Sequence, residues 1–501
     1  MFKRMLFYGT LLLLSTATGN ATNGTRMTGY DARTVGRGGT SFGFFDNTSL
    51  MMTNPAGISF LTVSQIDANF SLMVPGIEFG NGVNGSATGK TNYFPIMNAG
   101  YVSNRMGDFT WGAGVFTQGG MGADFNLNHN LFRTQSGDFV QQEYHSKLAV
   151  MQGGLSAAYR LTPELSLGAS AHAVYSMLEF SMPYSLSPSV MKGVVNPATG
   201  MTFGDMFAAP PASGGFGYAE VTAAAKMTGL KAFGFAGKAG LAWVPNDKVS
   251  LGLSYSSSST LTFKSGKAGM DMTYQLNDAF GKAVMGVLAQ NPGMTLAQAQ
   301  QAVMSMFSGL GIDMSTGVAA EYDLDVKLKF PQTVGFGAMV RVADNYRISF
   351  DFEWVNWKNA FDTMTLTMKN GSSANINRML GNDGSFSLEF PMNWEDAYCV
   401  RLGMECDAST ALTLRVGGAF GSNPVPATTV FPVFPAIVEN HLTLGASYRV
   451  SEPLTVHCAY ERAFPLTETG GTPSIIAQEY SGSRSTLQEN IYHLSVSWLL
   501  R

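Results

Sequence analysis

The 501-residue chain is poor in charge. Asp, Glu, Lys and Arg together supply 13% of its residues, against about 25% in an ordinary soluble domain. It has no basic field: the formal net charge is -4, which excludes a typical nucleic-acid binder. Beyond the N-terminus it has no apolar run of about 18 residues, which excludes spanning helices. Its three cysteines, Cys399, Cys406 and Cys458, are an odd number and make no full disulfide framework. They read as small apolar side chains. The six histidines show no pair at metal-ligand spacing, so neither a metal nor a cofactor is expected. What is present excludes disorder: 45% hydrophobic residues, 12% aromatics and 57 glycines. Few charges without long apolar runs fit the other membrane solution, alternating strands closed into a barrel.

The opening residues, 1–21, read as a secretory signal peptide. Lys3 and Arg4 form a positive n-region, Met5 to Leu14 a short apolar h-region, and Ala17 or Ala21 the last residue before cleavage. The run is too short for a membrane anchor, and no Cys follows it to carry a lipid.

Strand periodicity is plain in the C-terminal half. Ile348, Phe350, Phe352 and Trp354 alternate with Ser349, Asp351 and Glu353, and Tyr492, Leu494, Val496 and Trp498 alternate with His493, Ser495 and Ser497. Period two puts one set on each face of a sheet. A soluble sandwich alternates likewise, so the connections decide. About fourteen strands can be read between residues 64 and 499. Their links alternate between turns of a few residues, such as Thr162-Pro163 and Asp344-Asn345, and long stretches, of which 184–232 and 265–322 are the longest. Short periplasmic turns, long extracellular loops and an even strand number define an outer-membrane barrel. An Arg or Lys facing lipid at the midplane costs roughly 2–4 kcal/mol, and an Asp or Glu also costs, though less. Asp351, Glu353, Arg401, Glu405, Arg415, Arg449 and Glu461 fall on the polar parity of their strands and should therefore face the lumen, where pairing across a packed interior is their simplest role.

Residues 22–63 do not alternate and are rich in Gly36, Gly38, Gly39, Gly43 and small side chains. Such a segment either hangs in the periplasm or folds inside the lumen as a plug. Here Gly29-Tyr30-Asp31-Ala32-Arg33, Gly36-Arg37-Gly38-Gly39, Asp46-Asn47 and Asn54-Pro55-Ala56-Gly57 follow one another. Downstream come Lys329-Phe330-Pro331-Gln332, Gly335-Phe336-Gly337, Asp351-Phe352-Glu353-Trp354, Asp396-Ala397-Tyr398 and Leu414-Arg415-Val416-Gly417-Gly418. In this order, over nearly the whole mature chain, the set resembles the FadL/TodX family of outer-membrane transporters of hydrophobic compounds, the long-chain fatty acid transport protein family. The resemblance implies a fourteen-stranded all-β transmembrane barrel (64–501) with an N-terminal hatch (22–63) whose hallmark is Asn54, Pro55 and Ala56. It implies capture of ligand at the extracellular loops, passage to a site above the hatch, and lateral release at a kink in the third strand. That strand carries Gly119 and Gly120, and glycine inside a strand marks a bulge or bend. The chain departs from the usual barrel ending, a terminal aromatic read by the assembly machinery: it closes on Trp498-Leu499-Leu500-Arg501.

In the loop 265–322, Phe280, Val284 and Leu288 lie at helical spacing on one face. Asn291-Pro292-Gly293 breaks that helix, and Thr295 with Gln298 forms a capping box that starts a second. The second helix presents Val303, Met306 and Phe307. The loop 184–232 offers Phe203, Met206 and Phe207. These faces either pack on one another as a lid or also line a ligand groove. Burying each CH₂ yields about 0.8 kcal/mol, so an apolar ligand needs no specific polar contact. Lys226 or Lys231 is available for a carboxylate head group. The expected partners are thus a hydrophobic small molecule (a fatty acid or an aromatic hydrocarbon), outer-membrane lipid and lipopolysaccharide, and the assembly machinery, for a monomer without nucleic acid.

Two other functions compete. Gly39-Thr40-Ser41-Phe42-Gly43 matches the string of a hydrolase nucleophile elbow, but that motif needs a strand–turn–helix context. His145, His172, His457 and His493 are placed to meet acids across a lumen. A general aqueous porin would share the barrel but would leave 22–63 outside the lumen.

Overall fold

The computed structural model describes residues 24–500, so the signal-peptide reading of 1–21 and the start of the hatch lie outside them. Among the described residues, fourteen antiparallel strands close into one barrel. They are β1 (Ser64–Gly80), β2 (Phe94–Val102), β3 (Phe109–Leu127), β4 (Gln142–Arg160), β5 (Leu165–Leu186) and β6 (Val221–Asn246). Four strands follow that are each interrupted once: β7 (Val249–Ser256, Ser259–Asp271), β8 (Ala319–Phe330, Thr333–Ala343), β9 (Tyr346–Val355, Thr363–Lys369) and β10 (Phe386–Pro391, Ala397–Asp407). The last are β11 (Leu412–Gly421), β12 (Asn440–Arg449), β13 (Leu454–Thr469) and β14 (Arg484–Leu500). β14 returns to β1 in unbroken register from Ser64↔Leu500 to Gly80↔Arg484, which closes the barrel and removes its edges. The strand ends sort as the sequence predicts: every short turn lies at one end and every long loop at the other.

Two features differ from the sequence reading. β6 begins at Val221, inside the stretch 184–232 read as loop. Its first half, rich in Ala and Lys, carries no clean alternation to betray a strand. β7 to β10 break at neighbouring positions; in β8 the break falls at Pro331, whose nitrogen has no hydrogen for the ladder.

Outside, large apolar side chains such as Phe70, Leu155, Phe235, Phe336, Leu444 and Leu494 are exposed. Trp111, Tyr159, Trp243, Tyr448 and Trp498 ring the short-turn ends, as an aromatic girdle does at a membrane interface. Inside, Asp351, Glu353, Arg401, Glu405, Arg415 and Glu461 are all buried, as their parity predicts. Arg449 shares that parity but ends β12 and is exposed at the short-turn rim.

Residues 24–63 fill the lumen at the short-turn end. Asp31 caps the helix α1 (Ala32–Gly36), accepting from the Arg33 and Thr34 amides at 2.9 and 3.2 Å. A second turn, α2 (Leu50–Thr53), leads into a 3-10 turn over Pro55–Phe60. The lumenal charges meet this plug. Arg26 Nη1 lies 2.7 Å from Glu353, which also pairs with Arg401 at 2.7 Å. Arg33 pairs with Asp67 at 2.8 Å and Arg37 with Asp46 at 2.8 Å. The Ser41 and Phe42 amides donate to Asp351 at 2.7 and 3.0 Å. Burial pushes the Asp46 carboxyl up, but the guanidiniums of Arg37 and Arg33 outweigh it and hold it well below the ordinary carboxylate range. Part of the chain's sparse charge is thus gathered in the lower lumen, most of it in ion pairs.

Candidate functional site

Above the plug the lumen changes character. The inner faces at the long-loop end of the barrel are apolar and form one core with the loops. Within it lies a cavity of about 320 Å³. Its walls come from Phe180 and Tyr184 of β5, Ala223 and Met227 of β6, Ala268 and Met270 of β7, and Leu366, Met368 and Phe390 of β9 and β10. Below it a smaller void shares Phe180, Met227 and Phe390 and runs down to Phe361, Met364 and Phe434. The floor is aromatic: Trp357 and Trp394 stand with ring centroids 4.9 Å apart, and both rings crowd Gly24 at the start of the described plug. Sequence reading missed these wall residues. Their signal was the run of Met and Phe on the inward parity near the long-loop strand ends, as in Phe386, Leu388 and Phe390.

The backbone pairing between β2 and β3 is incomplete. These strands pair only from Ala99↔Val115 to Val102↔Gly112. Contact resumes higher up, where the Lys90 amide donates to the Asp124 carbonyl at 2.8 Å. Between those points β3 bulges, with its register to β4 shifting between Thr117 and Gly119. The plug covers the inner side. The Met27 amide donates to the Gln118 carbonyl at 3.3 Å, the Gly120 amide donates to the Thr25 carbonyl at 3.0 Å, and Arg26 bridges to Gly119. A Cβ on Gly119 would collide with the Thr25 carbonyl oxygen. Asn98 ties the edge together, accepting from the Thr117 amide at 2.7 Å and donating to the Tyr30 carbonyl at 2.8 Å. Gly119 and Gly120 therefore sit at a bulge beside the N-terminal plug residues.

The Asn54-Pro55-Ala56 motif seats the plug on the wall made by β5, β6 and β7. Asn54 is fully buried and donates to the carbonyls of Phe42 (2.8 Å) and Leu241 (3.0 Å) while accepting from the Ala56 amide (3.3 Å). It rests where Gly168, Gly240 and Gly252 of β5, β6 and β7 leave no side chain; a Cβ on any of them would strike the plug.

At the other end of the lumen, the two helices read in the loop 265–322 form as α4 (Thr273–Gln290) and α5 (Leu296–Gly309), and the loop 184–232 adds a short helix that the sequence reading missed, α3 (Phe203–Ala208). The Thr295–Gln298 capping box is present. Phe203, Met206, Phe207, Val284, Val303 and Phe307 are buried in the common core, whereas Phe280 and Leu288 are half-buried and Met306 is exposed. Phe280 stands 6.1 Å from Phe307 between the two long helices. None of the nine loop residues lines the apolar cavity, and Phe280 lines a different one: an open vestibule with Tyr218, Gln275, Asp278, Glu220 and Glu479. There burial, together with the charge of Glu220, pushes the Glu479 carboxyl up to about 7. Lys226 and Lys231 stand on the outer face of β6, away from the apolar cavity; Lys226 pairs with Glu143 at 3.3 Å.

The histidines do not converge on a cleft. His493 lies between Ser71 (2.7 Å) and Glu461 (3.5 Å), but all three are buried and Glu461 is also held by His441 and Thr28. His145 contacts Asp124, His457 contacts Ser447 and Ser497, and His172 lies buried beside the Met51 backbone. Ser41 is buried in the plug rather than raised on a strand–turn–helix elbow. Among the described residues no group of three His, Cys, Asp or Glu is arranged to hold a metal.

A plugged barrel with an apolar upper lumen and a bulge in its third strand can be compared with known proteins. Residues 13–497 match the family model of the outer membrane protein transport proteins (OMPP1/FadL/TodX). The chain belongs to the OMPP1/FadL/TodX family. It is accordingly an outer-membrane β-barrel transport protein. No curated protein sequence matches it. Solved structures share the fold of this FadL/TodX chain at low identity. The Pseudomonas putida toluene transporter TodX is 18% identical, with 95% of this chain and 99% of that chain covered, at a TM-score of 0.67. The Ralstonia pickettii toluene transporter TbuX is 18% identical over 95% and 99%, at 0.64. A Pseudomonas aeruginosa FadL homologue is 16% identical over 95% and 100%, at 0.67.

Proposed function

We propose that this FadL/TodX protein carries hydrophobic molecules, fatty acids or aromatic hydrocarbons, passively across the outer membrane. The apolar cavity of about 320 Å³ above the plug carries this reading. A pocket of that size and lining suits an apolar guest held by shape and water exclusion. The family membership and the likeness in fold to TodX and TbuX, both toluene transporters, support the same ligand class. No step in this scheme requires ATP, a metal or a catalytic residue.

The route has three stages. Ligand first meets the loops, where Phe280, Leu288 and Met306 form the accessible surface. Phe203, Met206, Phe207, Val284, Val303 and Phe307 are the packed layer that holds this surface in place. It then settles in the cavity. Release is lateral, through the gap in pairing beside Gly119 and Gly120, once the pairing of residues 25–27 with β3 loosens. Among the described residues, two backbone hydrogen bonds, which together form the Arg26–Gly119 bridge, hold that pairing. A general porin is disfavoured by the plug, whose ion pairs and hydrogen bonds reach the wall on several sides.

Uptake of radiolabelled toluene and of a radiolabelled long-chain fatty acid by cells expressing the protein tests this reading. Phe280→Asp with Leu288→Asp should lower uptake of the transported compound at least several-fold, with normal heat-modifiable migration of the barrel. Unchanged uptake would remove the loops from the route, and no uptake of either compound by the unaltered protein would reject the hydrophobic ligand class.

A further inference from the structure

The outer face of β6, β7 and β8 carries four lysines that lack a counter-charge. Lys231, Lys264, Lys327 and Lys329 all point away from the lumen, because their neighbours Leu230, Phe263, Val326 and Leu328 are buried inside. Lys231 and Lys264 are direct cross-strand partners, an arrangement of like charges that destabilises a sheet. Lys327 and Lys329 stand opposite Thr262 and Thr260 of β7. Other lysines near this face are neutralised: Lys226 by Glu143 at 3.3 Å, Lys267 by Asp323 at 2.6 Å and Lys369 by Asp325 at 2.8 Å. Among the described residues, none of the four has an acid at ion-pair distance. The acids nearest in register are Asp325, held by Lys369, and Glu179, which faces His145 at 3.8 Å.

Their height on the barrel identifies what can neutralise them. Trp243 lies in the girdle at the short-turn end of β6, and Lys231 stands twelve residues farther up the same strand. At about 3.4 Å per residue and a tilt of about 40°, that is a rise of about 30 Å, just beyond an apolar band about 25 Å tall. Directly below Lys231 on the same face, Phe233 and Phe235 are 75% and 82% exposed, the two most exposed large hydrophobic side chains of the described chain. Tyr175 of β5 extends this shelf, its ring 4.9 Å from Phe233. Four cations at the head-group level of the long-loop side thus sit above an aromatic shelf that lies among acyl chains.

We propose that this patch binds a phosphorylated lipid of the outer leaflet, with its phosphates on Lys231, Lys264, Lys327 and Lys329 and its acyl chains on Phe233 and Phe235. The site is on the lipid side of the wall, separate from the transport cavity. Its phosphates remove the Lys231–Lys264 repulsion, while the hydroxyls of Thr260 and Thr262 lie on the same face to accept or donate hydrogen bonds.

Native mass spectrometry of the detergent-purified barrel tests this, with bis-phosphorylated lipid A as the probe and its dephosphorylated form and inorganic phosphate as comparisons. The unaltered barrel should retain the phosphorylated lipid A, and a barrel with all four lysines changed to Gln should retain at least tenfold less. Lys264→Gln alone should give an intermediate loss, which keeps the test valid should the fourfold variant assemble poorly. A barrel with the paired Lys226→Gln and Lys267→Gln should bind as the unaltered one. Equal retention of dephosphorylated lipid A would overturn the phosphate contact. Displacement of the lipid by millimolar inorganic phosphate would reduce the site to a simple anion patch and overturn the lipid assignment.

Discussion

At the scale of single residues, glycine and asparagine decide where the plug sits. Gly252 of β7 meets the Phe42 carbonyl oxygen and the Asn54 amide, so an added Cβ there has no space. Gly252→Ala should unseat this part of the plug and raise the steady conductance of the barrel in planar bilayers, with strand content by circular dichroism unchanged. Conductance equal to that of the parent protein would show that the plug does not depend on this contact. Asn54→Leu should act in the same direction, because it strips two buried carbonyls of their donor, each worth roughly 1–3 kcal/mol when left unsatisfied. The Asn54-Pro55-Ala56 motif was legible in the sequence, but its partners were not. Gly168, Gly240 and Gly252 lie far along the chain, and an inward glycine carries no polarity for a periodicity argument to detect. Charged residues behave in the opposite way: parity alone sends Asp351, Glu353 and Arg401 inside, since lipid excludes them. Arg449 shows the limit of that rule, because at the last residue of a strand the outside is water.

At the scale of elements, alternation and turn chemistry revealed most of the barrel, and failure occurred where alternation fades. The first half of β6 reads as loop because its inward positions are Ala223, Ala225 and Leu230 and its outward ones Lys226 and Lys231, spaced irregularly around a residue with positive φ, Gly229. The loop helices were legible from their spacing and capping box, whereas their mutual burial was not, since one apolar face serves a lid and a groove equally well. The vestibule beneath them should respond to pH. Burial raises the Glu479 carboxyl to about 7, well above its unfolded value of about 4.3. Its neutral form therefore stabilises the folded loops fully below pH of about 4, and that contribution is lost as pH rises through about 7. Hydrogen exchange around residues 476–481 should accordingly be slower at pH 5.5 than at pH 8.5 after correction for intrinsic exchange, and Glu479→Gln should abolish most of the difference. An equal pH difference in the Gln variant would assign it to another group.

At the scale of the whole molecule, the barrel divides into a polar lower half that holds a plug and an apolar upper half that holds a cavity. This division fits the sparse charge: lipid excludes it from the apolar band of the outer face, and the lower lumen holds part of what remains, mostly in pairs. Deleting residues 22–57 should convert the closed barrel into a leaky pore; no gain in conductance would mean the plug is not the barrier. The central claim, however, concerns the cavity, and the most direct measurement fills it. Ala223 and Ala268 line it from β6 and β7, so Ala223→Phe with Ala268→Phe would occupy its volume. Mass spectrometry of extracted ligand, paired with uptake by cells, should find an apolar molecule with the unaltered protein. It should find neither ligand nor uptake with the filled variant, whose heat-modifiable migration stays normal. Full uptake through a correctly assembled but filled barrel would contradict the account.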